Sequence, residues 1–409
     1  MIESPEARPL SAAPWLFGRQ GLAVLLVVTL IAATFLANDV AYLAGCLLVI
    51  GVMARAWSRF TFVRVQYRRR TLQPRAFVGD DLVLESTVVN ARPLPLPWVE
   101  VWELVPFALQ PRGWRERSYS QPEFVWVERG LSLWPYQRQH WQRHLNCERR
   151  GAFQLGEARL RAGDPFGFFE RERTWYDRFE ILVYPRVLPL RQLGFTQHHP
   201  SIDVVSRRSI VTDPTRTATV RDYRPDDSRR LIHWPTTARR SALHVRVLEP
   251  AASLHVSLLL DVRGFGFGIY RGELLESTIS ALASLAVYLQ AQGAPVALLA
   301  NTRPPIVLPA GASAAHLQQL LEALARLQPL ASQPVLPWAL AQLPRGNTVV
   351  LAASDMTPEL ERGLADLRAN SFRVHLLLAT TRDIRPATGS STTCITPGCD
   401  LAAVLEGRV

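Results

Sequence analysis

Two apolar runs near the amino terminus limit this chain more than anything else in it. Gly21 to Ala37 is uncharged, Val40 to Ala54 is uncharged, and only Asn38 and Asp39 lie between them. A helix needs roughly 17–25 apolar residues to cross a bilayer, and the first run reaches that length. The second is shorter, but Arg55 can extend its guanidinium to the surface and Trp57 can sit among headgroups. A cleaved signal peptide fits poorly, because the second run follows at once and no convincing small-x-small cleavage site stands between them. The pattern predicts a transmembrane hairpin, with helices over about 15–37 and 40–57 inside an N-terminal segment 1–60. Arg8 and Arg19 precede it, and Arg55, Arg59, Arg64, Arg68, Arg69 and Arg70 follow it. The turn carries no basic residue, so both ends belong on the cytoplasmic side of an inner membrane. The bulk of the chain then lies in the cytoplasm.

The remainder is rich enough in apolar residues to fold. Of 409 residues, 48% are hydrophobic and 20% charged, so disorder is not expected. All 46 basic residues are arginine and the formal net charge is +11. The arginines are scattered across the chain and are not concentrated in one long run, which makes nucleic acid an unlikely partner. Four cysteines lack zinc or redox spacing, as suits reduced thiols in a reducing compartment.

From 61 to 190 the chain reads as short strands. "DDLVLESTVVN" and "PWVEVWELVP" alternate, and Pro- and Gly-rich breaks punctuate them, which predicts a β-sandwich-like domain. Seven of the 11 tryptophans fall between Trp98 and Trp175. Buried sandwich core, with some exposed partner-binding surface, is the preferred reading for them, over a stacking surface for bases or sugars. "AGDPFGFF" is read as a turn, with Asp164 accepting backbone donors.

After residue 250 the rhythm becomes strand–helix. "LHVSLLLDV" ends near Asp261, a helical pattern covers 273–290, "APVALLA" is a second strand, and Ser313 is an N-cap for the next helix. "NTVVLAASD" ends at Asp355, and a helix and "FRVHLLLA" follow. This predicts a mostly parallel sheet with flanking helices over 251–409. Ligands of such sheets sit beyond the carboxyl ends of the strands, where Asp261 and Asp355 would converge. A hard cation such as Mg²⁺ would suit two carboxylates, but the "DVRGFGFG" loop has no hydroxyl and adds Arg263. The preferred reading is that the aspartates cap helices or satisfy loop amides, with no metal or other cofactor.

Between these regions, 191–250 reads as a linker holding a dense polar segment, "RDYRPDDSRRLIHWPTTARRSALHVRVLE" (221–249). Ten arginines face four aspartates between Arg207 and Arg246. A catalytic reading makes His233 the base, Asp227 or Asp222 its orienter and Ser228 the nucleophile, but supplies no oxyanion hole. An anion-binding reading clamps a phosphate or lipid headgroup with Arg224, Arg230 and Arg239. The preferred reading is a semi-buried Arg–Asp network at a domain junction, anchored by Trp234, whose exposed arginines also meet a partner.

That segment resembles the signature of the bacterial domain-of-unknown-function 58 family, approximately Y-R-P-G-D-[DS]-x-R-x-I-x-W followed by A-R, V-R and an acidic residue. Tyr223, Arg224, Pro225, Asp227, Ser228, Arg230, Ile232, His233, Trp234, Ala238, Arg239, Val245, Arg246 and Glu249 match, and Asp226 replaces the usual glycine. The order of hairpin, β-rich segment, signature and strand–helix region is similar to the family's plan. The resemblance implies a von Willebrand factor A-like C-terminal domain. In that fold's adhesion site Asp261 would be the first acid and Asp355 a later one, but Arg263 and Phe265 replace the serines, leaving the site degenerate. It further implies an accessory or scaffold role beside a MoxR-type AAA+ ATPase, in assembly or maturation of a client. The competing expectations are a membrane-tethered hydrolase or nucleotide-dependent enzyme centred on 222–240, and an anionic-lipid or nucleic-acid binder.

Overall fold

The computed structural model describes residues 8–9, 17–34, 38–111, 116–118, 123–193, 212–223, 232–240, 242–250, 255–266, 270–331, 334–343, 347–370, 372–381 and 392–407. They fall into two compact units, Met1–Tyr184 and Pro185–Val409.

In the first unit the apolar runs form α1 (Arg19–Thr34) and α2 (Asn38–Arg59). A Cβ on Gly51 would strike Leu22 and Phe17, and one on Gly45 would touch Thr29. The pairing 22 with 51 and 29 with 45 makes the helices antiparallel, with Gly51 letting them approach closely. Their outward faces are bare hydrocarbon: Val24, Val27, Leu30, Ile31, Tyr42, Leu43, Val49 and Met53 are all exposed. Of the two helices only α2 is long and apolar enough to cross a bilayer on its own, and α1 is a shorter apolar helix of 16 residues.

Among the described residues, eleven strands belong to this unit: β1 (Arg8–Pro9), β2 (Val65–Thr71), β3 (Arg75–Phe77), β4 (Asp81–Asn90), β5 (Leu96–Pro106), β6 (Leu109–Pro111), β7 (Glu116–Ser118), β8 (Phe124–Leu133), β9 (Arg138–Cys147), β10 (Gly151–Gly163) and β11 (Glu170–Tyr184). One sheet runs β1-β11-β10-β5-β8-β7, with β3 also on β11, and the other runs β2-β4-β9-β6. Alternation along β4, β9 and residues 99–105 of β5 turns one face of each strand inward. Val65, Val88 and Trp141 of the smaller sheet pack with Val99, Val101 and Leu160 of the larger. Leu82, Leu84 and Leu145 pack with Val105, Val127 and Ile181 in a second cluster.

Between the two clusters, the same alternation leaves inward positions that are polar. Ser86 lies between Leu84 and Val88, Glu103 between Val101 and Val105, and Arg143 between Trp141 and Leu145. All three are buried, as is Arg69. Glu103 accepts from the Tyr67 hydroxyl and from Ser86 Oγ at 2.5 Å, and pairs with Arg143 Nη2 at 2.6 Å. Burial, and after it the Glu103 charge, holds the Tyr67 hydroxyl well above the usual tyrosine range.

Tryptophans of this unit divide. Trp126 and Trp141 are buried, whereas Trp134 is 72% exposed, so burial as core holds for only some of them. Arginines stack on several: Arg159 on Trp126 at 4.6 Å, Arg173 on Trp175 at 4.8 Å and Arg129 on Trp141 at 5.1 Å. Asp164 does close its turn, accepting from Phe166 N at 3.0 Å and Phe169 N at 2.6 Å.

The second unit begins with an antiparallel ribbon, β12 (Thr212–Asp222) with β13 (His244–Pro250), and the short α3 (Trp234–Arg240) between them. This structure occupies part of the stretch read as a linker. Then follow β14 (Val256–Leu260), α4 (Arg271–Ala291), β15 (Val296–Ala300), β16 (Ile306–Gly311), α5 (Ala314–Arg326), α6 (Val335–Leu340), β17 (Thr348–Ala353), α7 (Pro358–Ala369), β18 (Arg373–Ala379), β19 (Thr392–Ile395) and α8 (Leu401–Glu406). The sheet order is β16-β15-β14-β17-β18-β19, parallel except for β16. β14, β15 and β17 are buried at every position, as strands covered on both faces must be. α4 also meets the length and hydropathy of a membrane span, but most of it is buried within this unit, so it is a core helix. Ser313 caps α5 as its sequence indicates, accepting from His316 N at 3.1 Å.

Candidate functional site

The sheet order places a reversal point between β14 and β17, where the chain moves outward to β15 on one side and β18 on the other. In open sheets such a point leaves a crevice beyond the strand ends. Asp261 follows β14 into it, held by its N–H to Ala352 O at 2.9 Å, and its side chain is buried. Oδ1 accepts from Asn301 Nδ2 at 2.8 Å, from Arg263 N at 3.0 Å and from Arg263 Nε at 3.2 Å. Oδ2 accepts from Arg263 Nη2 at 3.1 Å. The guanidinium therefore lies across both carboxylate oxygens, and its Nη1 continues to Glu359 Oε2 at 3.0 Å. Those bonds to Asp261 raise the Arg263 pKa further above its ordinary value.

Asp355 enters the crevice from the other side, beyond β17. It pairs with Arg271 Nη2 at 2.7 Å. Gly264 joins the two halves: its φ is +82°, and a Cβ there would lie 2.1 Å from Ser354 Oγ and 3.9 Å from Asp355 Oδ2. Asp261 does satisfy a loop amide, as its sequence suggests, and Asp355 is engaged by Arg271. Thr357 is the cap of α7, accepting from Leu360 N at 3.2 Å.

The donor set does not fit a divalent cation. Both oxygens of the buried carboxylate face N–H donors, and Arg263 and the buried Phe265 in the loop after it add no side-chain oxygen ligand. Beside the crevice, a groove of about 260 Å³ is lined by Arg263, Leu336, Leu340, Glu359, Arg362 and Asp366, among others. It mixes an apolar floor with charges of both signs, chemistry that suits a peptide-like surface.

The polar signature is described only in part. Arg224, Asp226, Asp227, Ser228 and Arg230 lie outside the described residues, as does the side chain of Arg246. Tyr223 N donates to Leu243 O at 2.9 Å, continuing the ribbon. His233 Nδ1 accepts from Thr236 N at 3.2 Å and lies 2.7 Å from Thr236 Oγ1, which makes His233 the N-terminal cap of α3, with Pro235 in its first turn. Trp234, the expected anchor of the semi-buried network, is 66% exposed, and most of the arginines and aspartates of that network lie outside the described residues. Arg239 and Arg240 are exposed on the last turn of the same helix. His244, absent from the sequence reading, is buried, with Nε2 3.1 Å from Asp222 Oδ1 and Nδ1 2.7 Å from Ala242 O. Asn301, Arg271 and Glu359 were also illegible in the sequence, because they come from separate elements and carry no spacing signal.

Residues 219–386, which contain both the ribbon and the crevice, match the family described as "Protein of unknown function DUF58". The match to that family covers this segment, less than half of the chain. A curated relative, "Uncharacterized protein YeaD" of Bacillus subtilis (strain 168), is 23% identical over 333 residues, covering 78% of this chain and 76% of the relative. Among solved structures, a β-glucosidase from Listeria innocua aligns at 14% identity over 29% of this chain and 16% of its own, with a TM-score of 0.17. A GH20 exo-β-N-acetylglucosaminidase from Vibrio harveyi aligns at 9% identity over 81% of this chain and 78% of its own, with a TM-score of 0.18. Superpositions this poor carry neither fold nor activity to the DUF58 segment.

Proposed function

We propose that this protein is a membrane-anchored accessory or scaffold protein whose cytoplasmic second unit docks a protein partner, with a MoxR-type AAA+ ATPase the partner implied by the family resemblance. Anchoring is supported by the antiparallel α1–α2 pair with its bare hydrocarbon faces. A von Willebrand factor A-like reading of the second unit is supported by the strand order, with β14 as first strand, the antiparallel β16 at one edge, and an aspartate after the first strand. The observation that carries the docking role is the closure of the crevice. Its buried carboxylate is held by an internal guanidinium next to a groove of mixed character, so a partner would be met by protein groups without a bridging metal.

Affinity purification of the detergent-solubilised full chain, with and without ATP, and with EDTA in the nucleotide-free arm, tests the reading. An AAA+ ATPase co-purifies if it is right, and what binds without nucleotide survives chelation. Absence of any ATPase under both nucleotide conditions contradicts the partner, and loss of nucleotide-free binding on chelation contradicts the metal-free crevice. The ATP arm is read without EDTA, because the ATPase needs Mg²⁺ for its own nucleotide.

A further inference from the structure

The end of the first unit from which α2 emerges has its own surface chemistry. Five residues separate Arg59, the last of α2, from β2, and loops from three other places gather round them. Arg92 Nη1 donates to Phe60 O, Ala91 N donates to Arg64 O at 3.1 Å, and Tyr136 N donates to Arg92 O at 3.3 Å. Phe168 stacks on Phe17 at 4.4 Å, at the start of α1, and Arg171 Nε reaches Ser58 Oγ at 3.2 Å. These loops present Phe60 (54% exposed), Trp134 (72%), Tyr136 (70%) and Phe166 (53%) to solvent. Exposed aromatics gathered at the end of a membrane helix are what an interfacial belt consists of.

Beside this belt, the outer face of the smaller sheet is cationic. Strand register sets three rows across it: Gln66, Val89 and Arg138; then Arg68, Thr87 and His140; then Arg70, Glu85 and Gln142. The row nearest the helix contains Arg138. A groove of about 250 Å³ runs over these rows, lined by Arg68, Arg70, Arg138 and His140 with one carboxylate, Glu85. Glu85 accepts from Gln142 Nε2 at 3.0 Å, and His140 Nδ1 lies 3.2 Å from Thr87 Oγ1. The three arginines are exposed. Arg68 and Arg138 stand diagonally across β4, about 10 Å apart between strands and about 7 Å along them, so two long side chains can converge on one anion.

We infer that this end of the first unit is a lipid-binding face: Trp134, Tyr136, Phe60 and Phe166 sit at headgroup level, and the groove of Arg68, Arg70 and Arg138 takes the phosphate of an anionic phospholipid. This rests on the anchoring part of the proposed function. A membrane occupant is favoured because the groove and the aromatic belt are continuous with the helix that ends at Arg59, so an anionic surface there is always within reach.

The test uses the full chain in nanodiscs of phosphatidylcholine with increasing phosphatidylglycerol, read by amide hydrogen exchange over 65–71 and 134–141. Exchange slows as phosphatidylglycerol rises, and high salt weakens the effect. In R68Q, R70Q and R138Q, singly and combined, the apparent affinity for phosphatidylglycerol falls about fivefold per arginine, whereas the matching lysine variants retain most of it. No dependence on phosphatidylglycerol in well-reconstituted protein overturns this inference alone. Equal slowing by inorganic phosphate in pure phosphatidylcholine discs also overturns it, leaving an anion site that does not read lipid. A chain that fails to enter nanodiscs overturns both this inference and the anchoring.

Discussion

Arg263 is the residue on which the crevice depends. Its guanidinium satisfies the buried Asp261 carboxylate and extends to Glu359, so truncation removes charge-assisted bonds from a group that cannot be rehydrated. Asn301 and a backbone N–H still serve Asp261, and the Arg263 side chain is 34% exposed, which moderates the loss. R263A is expected to destabilise the second unit by about 1–3 kcal/mol in chemical denaturation. Gly264 is fixed by two independent demands, its φ of +82° and the approach of Ser354 Oγ. G264A is expected to cost about 1–3 kcal/mol, and S354G in the same chain to restore only part of it, because the strained backbone remains. In the first unit, burial first, with Asp80 and Asp81 after it, pushes the Cys147 thiol from 9.0 up to about 11. The folded state thus keeps a proton that the unfolded chain releases above pH 9. The associated stability is present below that pH and lost as pH rises toward 11, by up to about 2–3 kcal/mol. Denaturation at pH 8 and pH 10.5 should reveal a steeper alkaline loss in the native chain than in C147A.

At the scale of elements, the sequence discloses periods more readily than neighbours. Alternation marked β4 and β5, and the strand–helix rhythm marked the parallel sheet, because burial on one or both faces leaves a direct imprint on residue order. The run Arg68-Arg69-Arg70 left no such clue. All three look like flanking charge, yet period two turns Arg69 into the core and its neighbours outward. The polar layer was illegible for the same reason, since Tyr67, Ser86, Glu103 and Arg143 come from four strands and meet only after folding. Breaking that layer on one side leaves buried charge without compensation, so E103A is expected to lose about 3–5 kcal/mol, measured on the full chain in detergent. Y67F should cost less, because it removes one hydroxyl donor and leaves the Glu103–Arg143 pair intact. α4 and α2 illustrate a second ambiguity. Both are apolar enough for a membrane, and only the share buried by neighbours, 61% for α4 against 17% for α2, separates core from exposed hydrocarbon.

At the scale of the whole molecule, two apolar helices belong to the first of two compact units, and the proposed function puts both units on the cytoplasmic face of an inner membrane. The signature of the DUF58 segment contributes a ribbon with an exposed Trp234 and exposed Arg239 and Arg240, and the sheet contributes a crevice closed by arginine. Anchoring is the premise on which partner docking and lipid binding both depend. Its most direct test is alkaline carbonate extraction of membranes, combined with protease digestion of intact spheroplasts and of inverted vesicles. The account predicts that the full chain stays in the carbonate pellet, is resistant in spheroplasts, and is cleaved after residue 60 in inverted vesicles. Release into the carbonate supernatant, or cleavage of either unit from outside intact spheroplasts, would contradict it.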